Sequence, residues 1–361
     1  MTTLAAGFVT STAVFFIYMA WLFWYPCTDV GDACSPHSWS ASLLRNDSNL
    51  LAAFPAHFLD PRHPLTEVEL DALYDSCDRA DDAAASHVAS LAVVVPFIGA
   101  QIPLLLASMR RWQRAAVPCG GAYRSGARCR PVDLVLLFHR VLNASATAQL
   151  RAVAPPCFRD VLVLNADLPD AMDVYGVGTV SMFYGLFSSK LLAERYRSVF
   201  LMEPDVVALR DDWLGELQRQ AARDDFWVRG GMQRAPHFLE RGFGADYSIN
   251  GNALYRLGSP CFAALLERSR RLQSAGTPFD LALRRILDDP ARFGEQQRVL
   301  HRIQIGDFIR NLGDGHTWSS VRELRERAPR TYLAHTKMIR DDEADDAGDD
   351  SGFTASPPSS A

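Results

Sequence analysis

The chain has 361 residues, 48% hydrophobic and 22% charged, ordinary values for a globular protein that allow one large domain or two small ones. A formal net charge of −5 and the lack of a basic stripe argue against a nucleic-acid partner. No G-x-x-x-x-G-K-[ST], no G-x-G-x-x-G after a strand and no H-E-x-x-H occurs, which disfavours P-loop, dinucleotide-binding and zinc-protease chemistry.

Residues 4–25 read LAAGFVTSTAVFFIYMAWLFWY, an uncharged run long enough to cross a bilayer. Trp21, Trp24 and Tyr25 close it where an aromatic belt would lie. The run predicts a retained signal-anchor with the rest of the chain in the lumen. A cleaved signal peptide is the alternative, but the basic n-region is missing. Residues 26–86 are of mixed composition and read as a stem, with one capping-box helix start from Thr66 to Glu69. None of the seven cysteines forms a C-x-x-C pair, so structural zinc is not expected. Cys119 and Cys129 flank GGAYRSGAR, a predicted disulfide-closed loop. With sequons at Asn46 and Asn143, these features favour the secretory lumen.

From residue 87 to 340, apolar strand-like runs alternate with helical segments. Leu91 to Ile98 (LAVVVPFI) is the first run, and a helix with apolar and basic faces follows from Leu104 to Arg114. Val132 to His139 (VDLVLLFH) is the second run, with a helix through Leu150. Val161 to Leu164 is the third, Phe187 to Arg197 reads as helix, and Val199 to Met202 is the fourth. Continuous apolar strands separated by helices predict an α/β fold with a mostly parallel sheet buried on both faces. Ligands in such sheets bind at the carboxyl ends of the strands. Residues 341–361 are acidic and proline-bearing and read as a solvated tail.

The fourth run stops at Glu203-Pro204-Asp205. Pro204 has no N–H for a ladder, so the strand ends there and presents two carboxylates. Such a pair can hold a hard divalent cation together with phosphate oxygens, or can serve as ordinary turn residues.

The order of these pieces resembles a GT-A glycosyltransferase of the Golgi type II membrane kind. The resemblance covers roughly residues 90 to 338. It is carried by VVVPFIGAQIPLLLASMRRW, FLMEPDVVALRDDWL, FWVRGG (an edge-like run after the carboxylate pair), YSINGNALYRL and YLAHTK. Glu203-Pro204-Asp205 stands where the family has D-x-D, an E-P-D form also used by peptidyl-hydroxyproline and peptidyl-serine glycosyltransferases. The resemblance implies a single Rossmann-like domain over 87–340 and a nucleotide-sugar donor. The acceptor would be a protein or glycan in the Golgi or ER lumen, and the cofactor Mn²⁺ or Mg²⁺. It implies Asp205 and His335 as metal ligands. Glu203 is left between metal, ribose and water-mediated roles because its arm is longer than that of Asp.

Pro96 and Phe97 would open the nucleotide pocket, and Lys337 would meet the diphosphate as a point charge. Asn250-Gly251-Asn252 reads either as a loop presenting amides to sugar hydroxyls or as a turn. Asp246 is a candidate general base, with Asp280 and Glu240 as rivals. Trp227 and Trp318 are candidates for sugar stacking or for core. A metal-bound His335 must be neutral, so protonation in acid is expected to remove it from the site. A sugar-nucleotide-forming nucleotidyltransferase and a non-catalytic sugar-binding protein of the same fold are the alternatives.

Overall fold

In the computed structural model, the structure describes residues 66, 91–114, 117–120, 132–174, 177–223, 225–234, 249–271, 278–287, 299–312 and 320–335. The predicted anchor, the tail and nearly all of the stem lie outside them. Among the described residues, no helix is long and apolar enough to cross a membrane.

Four parallel strands form one half of a single sheet: β1 (Leu91–Phe97), β2 (Val132–Phe138), β3 (Val161–Asn165) and β4 (Ser198–Leu201), in the spatial order β3-β2-β1-β4. The sheet continues through β7 (Ile249–Arg256), β6 (Val228–Arg234), β9 (Ile309–Leu312) and β10 (Leu333–His335) to β5 (Val206–Ala208). A short β8 (Ile303–Ile305) pairs with β6 beside β9. Among the described residues, only the β4–β7, β6–β7 and β5–β10 pairs are antiparallel. The architecture is therefore mixed α/β with a mostly parallel central sheet.

Alternation within each strand feeds two cores, as expected for a sheet covered on both faces. Val93 and Val95 of β1, Leu134 and Leu136 of β2 and Phe200 of β4 face one side. There they meet α1 (Ile102–Arg114), α2 (Ala144–Val153) and α5 (Trp213–Ala221). In α1, Leu105, Met109 and Trp112 form the buried stripe at helical spacing. Trp112 packs on Trp213 with ring centroids 5.4 Å apart. Val94, Val135, Val199 and Leu201 face the other side. They meet α3 (Val177–Ser188), α4 (Lys190–Arg195), α6 (Pro260–Arg271) and α7 (Phe279–Leu287). A last helix, α8 (Val321–Arg327), covers β5 and β10 through Leu324.

The predicted strands agree with the observed ones to within a residue or two, and three readings change. The Phe187 to Arg197 segment is two helices, because Ser189 ends α3 and caps α4 by accepting from the Leu192 N–H. FWVRGG, expected near an edge, enters β6, which has neighbours on both sides. Asn250-Gly251-Asn252 is neither loop nor turn but lies in the first half of β7.

The amino-terminal edge of the parallel half is held by one buried carboxylate. Asp133 is wholly inaccessible. Arg159 donates to both its oxygens at 2.8 and 2.6 Å, and Arg195 Nε and the Tyr196 hydroxyl donate at 3.1 and 2.6 Å. Burial by itself would raise the Asp133 pKa. The bonds from Arg159 and Tyr196 and the charges of Arg159 and Arg195 outweigh it and hold the carboxyl below its ordinary value.

Cys129, the expected partner of Cys119, lies outside the described residues. The buried Cys119 thiol is hydrogen-bonded to Cys157, which lowers the Cys157 pKa. Oxidised glutathione should therefore join Cys119 to Cys157, taking up their two electrons as it is reduced. Non-reducing peptide mapping by mass spectrometry checks this; a Cys119–Cys129 link would contradict it.

Candidate functional site

The carboxyl ends of β1, β2, β3 and β4 share one edge of the sheet, and the carboxylate pair stands there. The Met202 N–H still donates to the Val94 carbonyl at 2.9 Å, after which the chain leaves the sheet. Val206 N–H closes a turn onto the Glu203 carbonyl at 3.0 Å. The buried Ser108 hydroxyl of α1 donates to the Pro204 carbonyl at 3.3 Å, fixing that turn to the helix. The next strand, β5, pairs with β10 in a register that sets His335 opposite Val206. The imidazole thus reaches the acids through strand register alone, from a point far along the chain.

His335 Nε2 lies 2.8 Å from Glu203 Oε2 and 3.4 Å from Asp205 Oδ1. One ligand atom from each of the three residues falls within 4.8 Å of the others, and all three remain partly open to solvent. Burial alone would lower the His335 pKa. The bonds and charges of Asp205 and Glu203 override it and push it up to about 10. Without a cation His335 is therefore held as a cation itself at neutral pH, and a bound metal would have to displace that proton. Two hard carboxylate oxygens and one imidazole nitrogen within reach of one point fit a divalent cation such as Mn²⁺, which would take the place of the His335 proton.

Asn252 of β7 is fully buried, and its amide is engaged with Glu203 rather than presented to a ligand. Its Oδ1 accepts from the Glu203 N–H at 2.7 Å, and its Nδ2 donates to Glu203 Oε2 at 3.2 Å. This corrects its reading as a sugar-binding amide. Gly251 leaves room for an aromatic ring, since a Cβ there would come within 2.7 Å of Phe279. Phe279 stacks on Phe183 with centroids 3.5 Å apart and opens α7, so the first turn of that helix brings in Asp280.

Asp280 keeps some accessible surface and lies within electrostatic reach of Glu203 and His335. Burial pushes its carboxyl up to about 6; the Leu281 N–H opposes the rise and the Glu203 charge adds to it. Asp280 is thus the one rival base the structure describes, because Asp246 and Glu240 lie outside the described residues. Lys337 and Trp318 lie outside them as well, and the Asn250 side chain is not described.

Phe97 is corrected too. Its ring is buried and packs on Phe138 at 5.1 Å, so it is part of the core rather than a pocket wall; Pro96 is half-buried. Trp227 is buried among core side chains, the second of its two sequence readings.

Sequence reasoning missed a second polar cluster on the same edge. His139 Nδ1 lies 2.5 Å from Asp173 Oδ1, Arg140 Nε donates to Asp173 Oδ2 at 2.8 Å, and Arg140 also bonds Asp170. The Gly99 N–H donates to His139 Nε2 at 3.3 Å, which puts the proton on Nδ1 and ties the ends of β1 and β2 together. Burial raises the Asp173 pKa, but His139 and Arg140 more than offset this and hold it low. The only signal in the sequence was a histidine ending an apolar run. Ile98, Val141 and Val174, chain neighbours of these residues, are exposed.

No protein-family model matches the chain, and no curated protein sequence does. Among solved structures, the chain is similar to the bifunctional glycosyltransferase WbbM in its apo form, at 12% identity and a TM-score of 0.47, over 71% of this chain and 47% of WbbM. The chain thus spans about half the length of that protein. It is also similar to mouse xyloside xylosyltransferase 1, at 11% identity and a TM-score of 0.40, over 69% of this chain and 98% of that one. The S. cerevisiae mannosyltransferase Ktr4p in complex with GDP is similar at 14% identity and a TM-score of 0.27, over 56% of each chain. These neighbours are glycosyltransferases. Every TM-score among them is below 0.5, so the functional reading rests on the residues of this chain.

Proposed function

We propose that this protein is a metal-dependent glycosyltransferase of the GT-A kind. It would move a sugar from a nucleoside diphosphate to a hydroxyl of a protein or glycan acceptor. The observation that carries the reading is the convergence of Glu203, Asp205 and His335 on one point at the carboxyl edge of a parallel sheet. Ligands bind at that edge in open α/β sheets.

In the reaction, the acceptor oxygen bonds to the anomeric carbon, the bond from that carbon to the diphosphate breaks, and the acceptor proton leaves. Glu203, Asp205 and His335 would hold a divalent cation, which when bound neutralises the charge that develops on the departing diphosphate. The exposed apolar residues Ile98 and Val174, beside the His139–Asp173 contact, offer a surface for the nucleoside. Asp280 is the described carboxylate suited to taking the acceptor proton, since a base works best with a pKa near the working pH. The uncharged 4–25 run supports a catalytic part in the Golgi or ER lumen behind a type II anchor.

The test is a panel of nucleotide sugars incubated with the protein and Mn²⁺, with release of nucleoside diphosphate as readout. One donor should be turned over, and EDTA should stop it. No turnover of any donor, with or without candidate acceptors, would count against the reading.

Asp280 gives a further check, because a base held at a raised pKa weakens the fold. Its folded pKa lies above the unfolded value, so the metal-free protein loses stability as pH rises from about 4 to about 6. Asp280→Asn is therefore expected to stabilise the metal-free protein at pH 7 by about 1–3 kcal/mol while removing transfer. Thermal unfolding and turnover, measured on the same preparation, check it. A lower Tm would make the carboxylate a structural group.

A further inference from the structure

We propose that Asn252 is the positioning residue of Glu203: it turns one oxygen of that carboxylate toward His335 and leaves the other for a divalent cation. The inference rests on the cation site proposed above and assigns a part of it that touches neither cation nor substrate.

The β4–β7 ladder ends at the Phe200–Leu254 pair, before the chain reaches Glu203. Beyond that point the Asn252 side chain does what a strand backbone would do. Its Oδ1 accepts from the Glu203 N–H at 2.7 Å and its Nδ2 donates to Glu203 Oε2 at 3.2 Å. His335 Nε2 approaches the same Oε2 at 2.8 Å. Without a cation that oxygen is held from two sides; when a cation takes the place of the His335 proton, the Asn252 amide keeps its hold and so still sets the direction of the other oxygen.

An amide suits this place because it carries an acceptor and a donor on one rigid plane. An aspartate has no donor, a leucine has neither group, and a serine hydroxyl is too short to reach both partners. The amide orientation follows from its partners, since the Glu203 N–H can meet only an oxygen. Asn252 has no accessible surface, whereas the Glu203 side chain is 43% exposed. The buried group holds the exposed one. A glutamate arm has one more rotatable bond than an aspartate, so such a clamp matters more for E-P-D than for D-x-D.

The experiment is a double-mutant cycle in the full chain, read as Mn²⁺ affinity from the EPR signal of free Mn²⁺. The four proteins are wild type, Asn252→Ala, Glu203→Ala and the double variant, each checked for cooperative thermal unfolding. Asn252→Ala should weaken Mn²⁺ binding about 10- to 100-fold, as for other residues that orient metal ligands. In the Glu203→Ala background the same change should have less than about a twofold effect, because the residue through which it acts is gone. Should Asn252→Ala not fold, Asn252→Ser takes its place, since a hydroxyl can accept from the Glu203 N–H without also holding Oε2. An equal loss in both backgrounds would mean that Asn252 supports the strand and not Glu203. Unchanged affinity in Asn252→Ala or Asn252→Ser would overturn the positioning role alone. Failure of the wild type to bind Mn²⁺ would overturn the cation site and this role with it.

Discussion

Asp205→Asn is expected to lower turnover of the nucleotide-sugar donor by about 100- to 1000-fold, the usual loss when one group that stabilises developing charge is removed. The carboxylate sits in a turn at the sheet edge, partly open to solvent, so its replacement leaves no cavity in either core. Asparagine keeps the shape and loses the charge that a hard cation requires. The folded state should persist, with thermal unfolding close to that of the wild type. Loss of the His335–Asp205 attraction should also let the His335 pKa fall, since Asp205 is one of the two groups raising it. Steady-state rates at saturating Mn²⁺ check the prediction, and near wild-type turnover would remove Asp205 from the site.

The largest expected effect on stability lies at the opposite edge of the sheet. Asp133→Ala should destabilise the protein by about 3 kcal/mol, the low end for breaking a buried ion pair. Two guanidinium groups and one phenol lose a common partner, but Arg159 and Arg195 are partly exposed and can turn to water. Because the folded pKa of Asp133 is depressed, its contribution is complete above about pH 4 and fades as pH falls through the folded value. Denaturant unfolding of wild type and Asp133→Ala at pH 7 and at pH 3 checks both parts. The gap between them should be wide at pH 7 and should narrow in acid, and a gap independent of pH would contradict the assignment.

What could be read from the sequence follows from where each signal resides. β1, β2 and β4 were legible because residues on both faces are apolar, and that pattern is local. Pro204 made the end of β4 legible for the same reason, as it removes a donor whatever surrounds it. The site itself is only half local. Glu203 and Asp205 are two residues apart in the chain, but the place of His335 depends on the β5–β10 register, which no local pattern encodes. His335 was reached through family resemblance instead.

Asn250-Gly251 misled because the pair is a strong turn former in isolation. Packing overrides that preference here: β7 lies between β4 and β6, and Gly251 is needed to admit the Phe279 ring. Asn252 then reads as an exposed loop amide when it is a buried clamp. Phe97 misled in the same way, since the end of a strand does not reveal which face its last side chain joins. The His139–Asp173 contact joins the end of β2 to a segment 34 residues away and left no trace in spacing.

The account turns on whether this edge of the sheet takes a nucleoside diphosphate together with a divalent cation. Calorimetric titration of UDP and of GDP into the protein, each with Mn²⁺ and with EDTA, measures that directly. The account predicts saturable binding of one of them with Mn²⁺ and its loss in EDTA. His335→Ala should weaken that binding and leave thermal unfolding nearly unchanged. Binding of neither nucleotide in Mn²⁺, by protein that unfolds cooperatively, would contradict it.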